Sequence, residues 1–300
     1  MSTRRKLGLG IGGVYILGFL VIIGLFGAKR QDNTDFLPQN EFKLDTWFAL
    51  PGPLDLNKGV LYLLITTALT LGTMLYVSKR MSETKPNRLQ IAVEWLYSGM
   101  KDKLVKDNMD EDMARKWFPL VCTLFVFIWF SNMIGYIPLP VNTEHTVSVF
   151  GYDMPAFQLY AATANVSIPL VLSLIVFFSY NVEGVRAKGL WGYLKSVAIP
   201  PGVSGGILIM IVPLEIMSQF LRLISLTVRL FANLLAGHML IQFMSGGLAV
   251  LLGLEVLAWF TLPAGIAIFL FEVTLIATLQ AFIFAILTCI YLGSAVSEHH

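Results

Sequence analysis

Charge is what this chain has least of. Asp, Glu, Lys and Arg make up 13% of its 300 residues, about half the 25% usual for soluble domains. The net charge of +2 is too small to suggest a nucleic acid partner. Cysteine is scarce too. Cys122 and Cys289 both lie in apolar runs, which argues against a disulfide framework. No clustered His and Cys offer a metal site, and no GxxxxGK[ST] loop or GxSxG elbow is present. Phosphate-cradling and nucleophilic chemistry therefore have no motif to stand on. Nothing calls for a cofactor, and no catalytic site is expected within the chain. Low-complexity segments and short internal repeats are also lacking.

Apolar sequence is what remains. The chain is 56% hydrophobic, with a mean hydropathy of +0.72. A bilayer core takes about 20 apolar residues per helix. Six runs qualify: 8–27, 59–78, 117–138, 161–181, 204–243 and 249–292. The last two are about twice the necessary length and must tilt, bend or break. Pro213 and Pro263 are kink candidates, and the turn chemistry of Ser245–Gly247 separates the two runs. The expectation is an all-α polytopic membrane protein whose last two spans form a long tilted helical hairpin. Residues 1–44 read as an extra N-terminal span with an external segment, and 45–300 as the membrane domain.

Lys and Arg in the connections set orientation. Arg4, Arg5 and Lys6 precede the first span, nine basic residues between Lys79 and Lys116 follow the second, and Arg186, Lys188 and Lys195 follow the fourth. Residues 139–160 contain neither Lys nor Arg. Both termini are thus expected on the cytoplasmic side of the membrane. The segment 28–58 has mixed charge. The first run also resembles a signal peptide, but no small-x-small site precedes Arg30, which favours a retained helix. Within 85–108, Leu89, Val93, Leu96, Met100 and Leu104 recur at helical spacing, opposite Arg88, Glu94, Lys101 and Asp102. That pattern predicts an amphipathic helix, either lying at the membrane interface or packed on a soluble partner.

Polar residues inside the last two runs carry the chemistry. Ser225 and Asn233 sit four residues either side of Arg229, and Arg222 seven before it. At about 100° per residue these four form one stripe, and Glu215 lies within about 40° of it, roughly 21 Å along the axis. His238, nine residues after Arg229, points the opposite way on a straight helix. The last run adds Glu255, Glu272, Gln280 and Tyr291, with Gln280 and Tyr291 eleven apart on one face. Arg222 and Glu215 also fit a plainer role, snorkelling to the interface, and Gln280 could be interhelical glue. Arg229 cannot easily reach either surface. An arginine at the centre of a spanning helix costs roughly 2.5–3.5 kcal/mol, so something must offset it. Charge movement across the membrane is the class of function this suggests.

These residues carry a resemblance. "SLTVRLFANLLAGH" (225–238) and "LQAFIFAILTCIYL" (279–292) are similar to the signatures of subunit a of rotary ATP synthases. "KWFPLVCTLFVFIWFSNMIGYIP" and "TANVSIPLVLSLIVFF" resemble its middle helices, and the likeness covers about 45–292. The resemblance implies a stator subunit with two offset half-channels, laid against a ring of c subunits that each carry a carboxylate. It implies b-type peripheral stalk partners and a lipid setting. Arg229 matches the essential cation, Gln280 its glutamine partner, and Tyr291 a tyrosine eleven residues on. Asn233, Ser225 and Glu215 match family polar positions.

Two departures stand out. Many members have an acid where His238 stands and a histidine on the last helix, so His238 and Glu272 look exchanged. Glu272 precedes Gln280 by eight residues, where seven is expected, and a local bulge would restore the facing. Some members carry an acid at the position of Gly135. His238 and Glu272 are expected to form one proton relay, or else a static ion pair. The competing reading is a secondary proton-coupled transporter, although matching inverted halves are not visible. Whether the ion is H⁺ or Na⁺ depends on the ring.

Overall fold

A computed structural model of the chain describes residues 13, 16–18, 21, 44, 46–48, 56–80, 87–101, 108–142, 146–149, 152–198, 208–247 and 258–296. Seven α-helices lie among them: α1 (Lys58–Arg80), α2 (Arg88–Met100), α3 (Glu111–Gly135), α4 (Ser167–Ala198), α5 (Leu208–Gln242), α6 (Ala258–Phe271) and α7 (Ala277–Val296). π-Helical turns extend α5 (Phe243–Gly247) and join α6 to α7 (Glu272–Ile276). Among the described residues, five stretches are long and apolar enough to cross a membrane: Lys58–Lys79, Glu111–Gly135, Ser167–Val197, Leu208–Ser245 and Thr261–Val296. The protein is an all-α, multi-pass membrane protein with a long C-terminal helical pair. The expected first span, 8–27, falls almost wholly outside the described residues.

Several expectations need correction. Ser245–Gly247 is not a turn between helices but the end of the π-turn that continues α5. Pro213 and Pro263 lie within α5 and α6 without ending them, and π-turns follow α5 and join α6 to α7. The fourth span starts later than 161 and runs far beyond 181, so Arg186, Lys188 and Lys195 are helical rather than in a loop. Gly189 lets α4 bend there, at φ 71°, a conformation glycine adopts without a Cβ penalty. The amphipathic helix begins at Arg88 rather than at 85. Asn87 caps it, its side chain accepting from the Arg88 N–H at 2.8 Å, and residues 102–107 lie outside the described ones. Leu96 and Met100 pack inward while Arg88, Glu94 and Lys101 are exposed. Ile91 and Trp95 are exposed as well, so the outer face of this helix is not purely polar.

Contacts divide the chain into two compact units. One contains Ala236–Thr274; the other contains Leu44–Leu235 and the chain from Leu275 onward. At the centre of the larger unit is α3, whose Val121 and Ile128 are completely buried with Ala281, Ala285, Cys289 and Leu292 of α7. The alanines let the helices approach closely, as packing in membranes favours. Backbone groups are satisfied within helices, and threonine hydroxyls fold back onto carbonyls one turn earlier, as Thr66 does on Tyr62 and Thr288 on Phe284, each at 2.8 Å. Unpaired polar groups would be costly in lipid.

One end of this unit is closed by the 139–166 connection. β1 (Leu139–Pro140) pairs with β4 (Phe157–Gln158), and β2 (Thr146–Val149) with β3 (Tyr152–Pro155). Beneath them Tyr62 and Tyr160 meet edge to face at 5.5 Å. The buried Lys58 ammonium donates to Gln158 Oε1 at 3.2 Å and sits 5.2 Å from the Tyr160 ring centre. Burial pushes the Tyr160 hydroxyl up to about 12, against the lowering effect of its Asn165 hydrogen bond. In the smaller unit, α6 packs against the π-turn that extends α5. Gly265 lies against the Met244–Ser245 backbone, where an added Cβ would come 2.9 Å from the Ser245 nitrogen.

Candidate functional site

Helix α5 has two unlike faces. Leu226, Thr227, Leu230 and Leu234 point into the larger unit and are buried. Leu214, Met217, Leu221, Ile224 and Val228 are exposed, and Ser225 and Arg229 share that open side. Asn233, Arg222 and Glu215 are half-buried. None of the most apolar window of α5 is buried, against 56% for α3. Among the described residues Arg229 has no hydrogen-bond or ion-pair partner. The stripe expected from spacing is therefore present, and it borders an uncovered apolar surface.

Gln280 of α7 is buried in the same unit; among the described residues it makes no hydrogen bond to Arg229. Tyr291, eleven residues further on, is half-buried. The Arg222 guanidinium lies 5.5 Å from its ring centre, a cation–π arrangement. Tyr180 of α4 completes this cluster, 5.9 Å from Tyr291 ring to ring and donating to Gln219 Oε1 at 3.1 Å. Sequence reasoning missed Tyr180, Asn181 and Tyr193, although Tyr180 and Asn181 are an adjacent polar pair just past an apolar run. Tyr193 donates to Asn181 Oδ1 at 2.9 Å. It also missed the Lys116 ammonium, 2.6 Å from the Glu183 carboxylate and bridging α3 to α4.

Asn132 of α3 is completely buried. Its amide donates to the Ala277 carbonyl at 3.2 Å and accepts from Thr163 Oγ1 at 3.1 Å. It holds the start of α7, one turn before Gln280. Losing such a buried bond costs about 1–3 kcal/mol. Gly135, where an acid was a possibility, lies against Ala161; a Cβ there would fall 2.9 Å from the Ala161 Cα. Local packing therefore has no room for a side chain at 135.

In the smaller unit, His238 is completely buried and Glu272 is 7% exposed. The Glu272 carboxylate lies against Gly237: a Cβ there would come 2.5 Å from Oε2 and 2.8 Å from Oε1. The absent side chain at 237, next to His238, makes room for the acid. Glu272 also opens the π-turn Glu272–Ile276. π-Turns occur mostly as single insertions in α-helices and frequently at functional sites. No group of three or more His, Cys, Asp or Glu residues that could hold a metal occurs among the described residues.

Comparison with known proteins identifies the family. The family model described as ATP synthase A chain matches residues 60–293. The ATP synthase subunit a of Bradyrhizobium diazoefficiens is 36% identical over 244 residues, covering 80% of this chain and 88% of that protein. That of Parvibaculum lavamentivorans is 32% identical over 244 residues, 79% of this chain and 84% of its own length. That of Ehrlichia chaffeensis is 28% identical over 272 residues, 87% and 98% respectively. With a family model spanning most of its length and relatives above 30% identity, the chain belongs to the ATP synthase A chain family, the membrane-embedded subunit a of ATP synthases.

Proposed function

We propose that the chain is the stator of the membrane sector, guiding protons through two offset half-channels to and from carboxylates on a rotating c ring. The observation that carries this reading is Arg229, an exposed cation with no partner among the described residues, on an apolar face of a spanning helix. Facing lipid it would be costly; facing a ring of carboxylates it is matched.

A ring carboxylate arriving at Arg229 is stabilised in its charged form and gives up its proton, because a nearby cation lowers a carboxyl pKa. Having passed, it takes a proton from the other half-channel. The fixed guanidinium also keeps protons from crossing directly between the channels. Each charge that traverses the full potential releases about 2.3 kcal/mol per 100 mV, which drives rotation. Ser225, Asn233 and Glu215 line the stripe on either side of the cation. Tyr291, Tyr180 and Gln219 extend the polar path at one end of α5. Gln280 acts as a second polar group behind Arg229, its amide oxygen able to accept from the guanidinium.

His238 and Glu272 act as the relay in the external half-channel. A π-turn takes in one residue more than an α-turn, so the eight residues from Glu272 to Gln280 count as seven in helical phase. This supports the exchanged arrangement, in which an acid on the last helix and a histidine on α5 replace the more usual order. The b-type stalk is assigned to α2, whose Ile91 and Trp95 are exposed. Basic residues at the α1–α3 connection assign that side to the cytoplasm, with both termini there.

A facing test checks the central geometry. Val228→Cys, on the exposed side of α5, should form disulfides with cysteines placed on the outer helix of a c subunit. Leu230→Cys, buried on the opposite side, should not. Cross-links from Leu230 alone would reverse the assignment.

A further inference from the structure

We infer that the larger unit carries a binding site for one anionic phospholipid, in the groove where the ends of α1 and α2 meet the start of α3. The cavity has a volume of about 850 Å³. Lys101 and Arg115 line it together with the apolar side chains of Met74, Phe118, Pro119 and Cys122. That volume lies within the range of small-molecule sites, about 300–1,000 Å³. A partner helix, about 10 Å across, would instead need a furrow running along the bundle.

The chemistry is graded as a phospholipid is. Arg115, Phe118 and Cys122 fall at helical spacing on one side of α3, and Cys122 lies about 10 Å further along the axis than Arg115. Charge therefore sits at one end and apolar surface at the other. The Lys101 ammonium is placed 5.7 Å from the Tyr97 ring centre, and Tyr97 is held edge-on by Phe118 at 4.6 Å. Among the described residues neither Lys101 nor Arg115 forms an ion pair. Glu111 also lines the groove, so its described lining residues carry one net positive charge, which matches one phosphodiester. Guanidinium binds phosphate in a fork and ammonium as a point charge. Basic pockets between spanning helices are suited to anionic headgroups.

The site does not depend on the proton path and is tested without it. The intact synthase complex is placed in vesicles of phosphatidylcholine containing some phosphatidylglycerol, extracted gently, and weighed by native mass spectrometry. The natural complex should retain phosphatidylglycerol. The double variant Lys101→Gln with Arg115→Gln should retain it about 30-fold more weakly, the worth of two basic contacts at a membrane surface. Arg186→Gln with Lys195→Gln makes the same charge change on exposed residues of α4 outside the groove and should leave retention unchanged. A benzophenone side chain at Met74, with both cations in place, should cross-link to lipid. Equal retention in all three forms would overturn the site, as would cross-linking to a stalk polypeptide instead of lipid.

Discussion

Arg229→Ala is expected to leave the synthase assembled while ATP synthesis driven by a proton gradient falls to the level of an uncoupled control. Arg229 contributes nothing to the packing of its own unit: it is exposed, without a partner among the described residues, on the side of α5 away from Leu226, Leu230 and Leu234. Its removal should therefore spare stability. What disappears is the stabilisation of a ring carboxylate in its charged form. A neighbouring cation lowers a carboxyl pKa by about 1–3 units, each worth about 1.4 kcal/mol, so deprotonation opposite the stator slows by about 10- to 1,000-fold. The barrier to direct leakage between the channels is lost as well. Arg229→Lys should also fail, since an ammonium lacks the rigid fork and loses its proton more readily when desolvated. Subunit stoichiometry of the purified complex checks assembly, and synthesis in proteoliposomes checks coupling. Normal coupled synthesis by the alanine variant would refute the role.

The second large effect concerns Glu272 and the space that Gly237 leaves for it. Both carboxylate oxygens would lie within 2.8 Å of a Cβ at 237, closer than such contacts allow. Gly237→Ala must push the buried carboxylate aside. If Glu272 passes protons, Gly237→Ala, Glu272→Ala and His238→Ala should all slow proton flux through the assembled sector. Placing Glu at 238 and His at 272 together should recover part of it. Gly72→Ala, which meets open space, serves as the neutral comparison. The measurement is proton uptake into vesicles under a potassium diffusion potential. A Glu272→Ala complex with undiminished flux would put the acid outside the path and leave it as a static partner between helices.

Much of this arrangement could be read from the sequence because hydropathy reports where a helix is inside lipid. The second to fourth spans and the two long C-terminal runs were visible that way, and Arg229 stood out as an ionisable residue that could not escape an apolar run. Hydropathy does not report where a helix ends once it has left the bilayer. Hence α4 was cut at 181, although it continues through Arg186 and Lys195 to Ala198. Pro213 and Pro263 lie inside continuous helices, and hydropathy alone does not distinguish that from a helix end. An i→i+5 turn has no compositional signature; the odd eight-residue spacing of Glu272 and Gln280 was the only hint of one. Contacts such as Tyr180 with Gln219, or Asn132 with Ala277, depend on how helices cross, and nothing local in the sequence specifies that. Gly135 and Gly237 show the same limit: each glycine is explained only by what lies against it.

The central claim is that this chain conducts protons only by handing them to a partner's carboxylates past Arg229. The most direct measurement is proton flux into vesicles containing the purified chain alone, set beside vesicles containing the chain assembled with its c ring. The account predicts no flux above empty vesicles from the chain alone, and flux that is driven by membrane potential once the ring is present. Potential-driven flux from the chain alone would contradict it and favour a self-contained transporter.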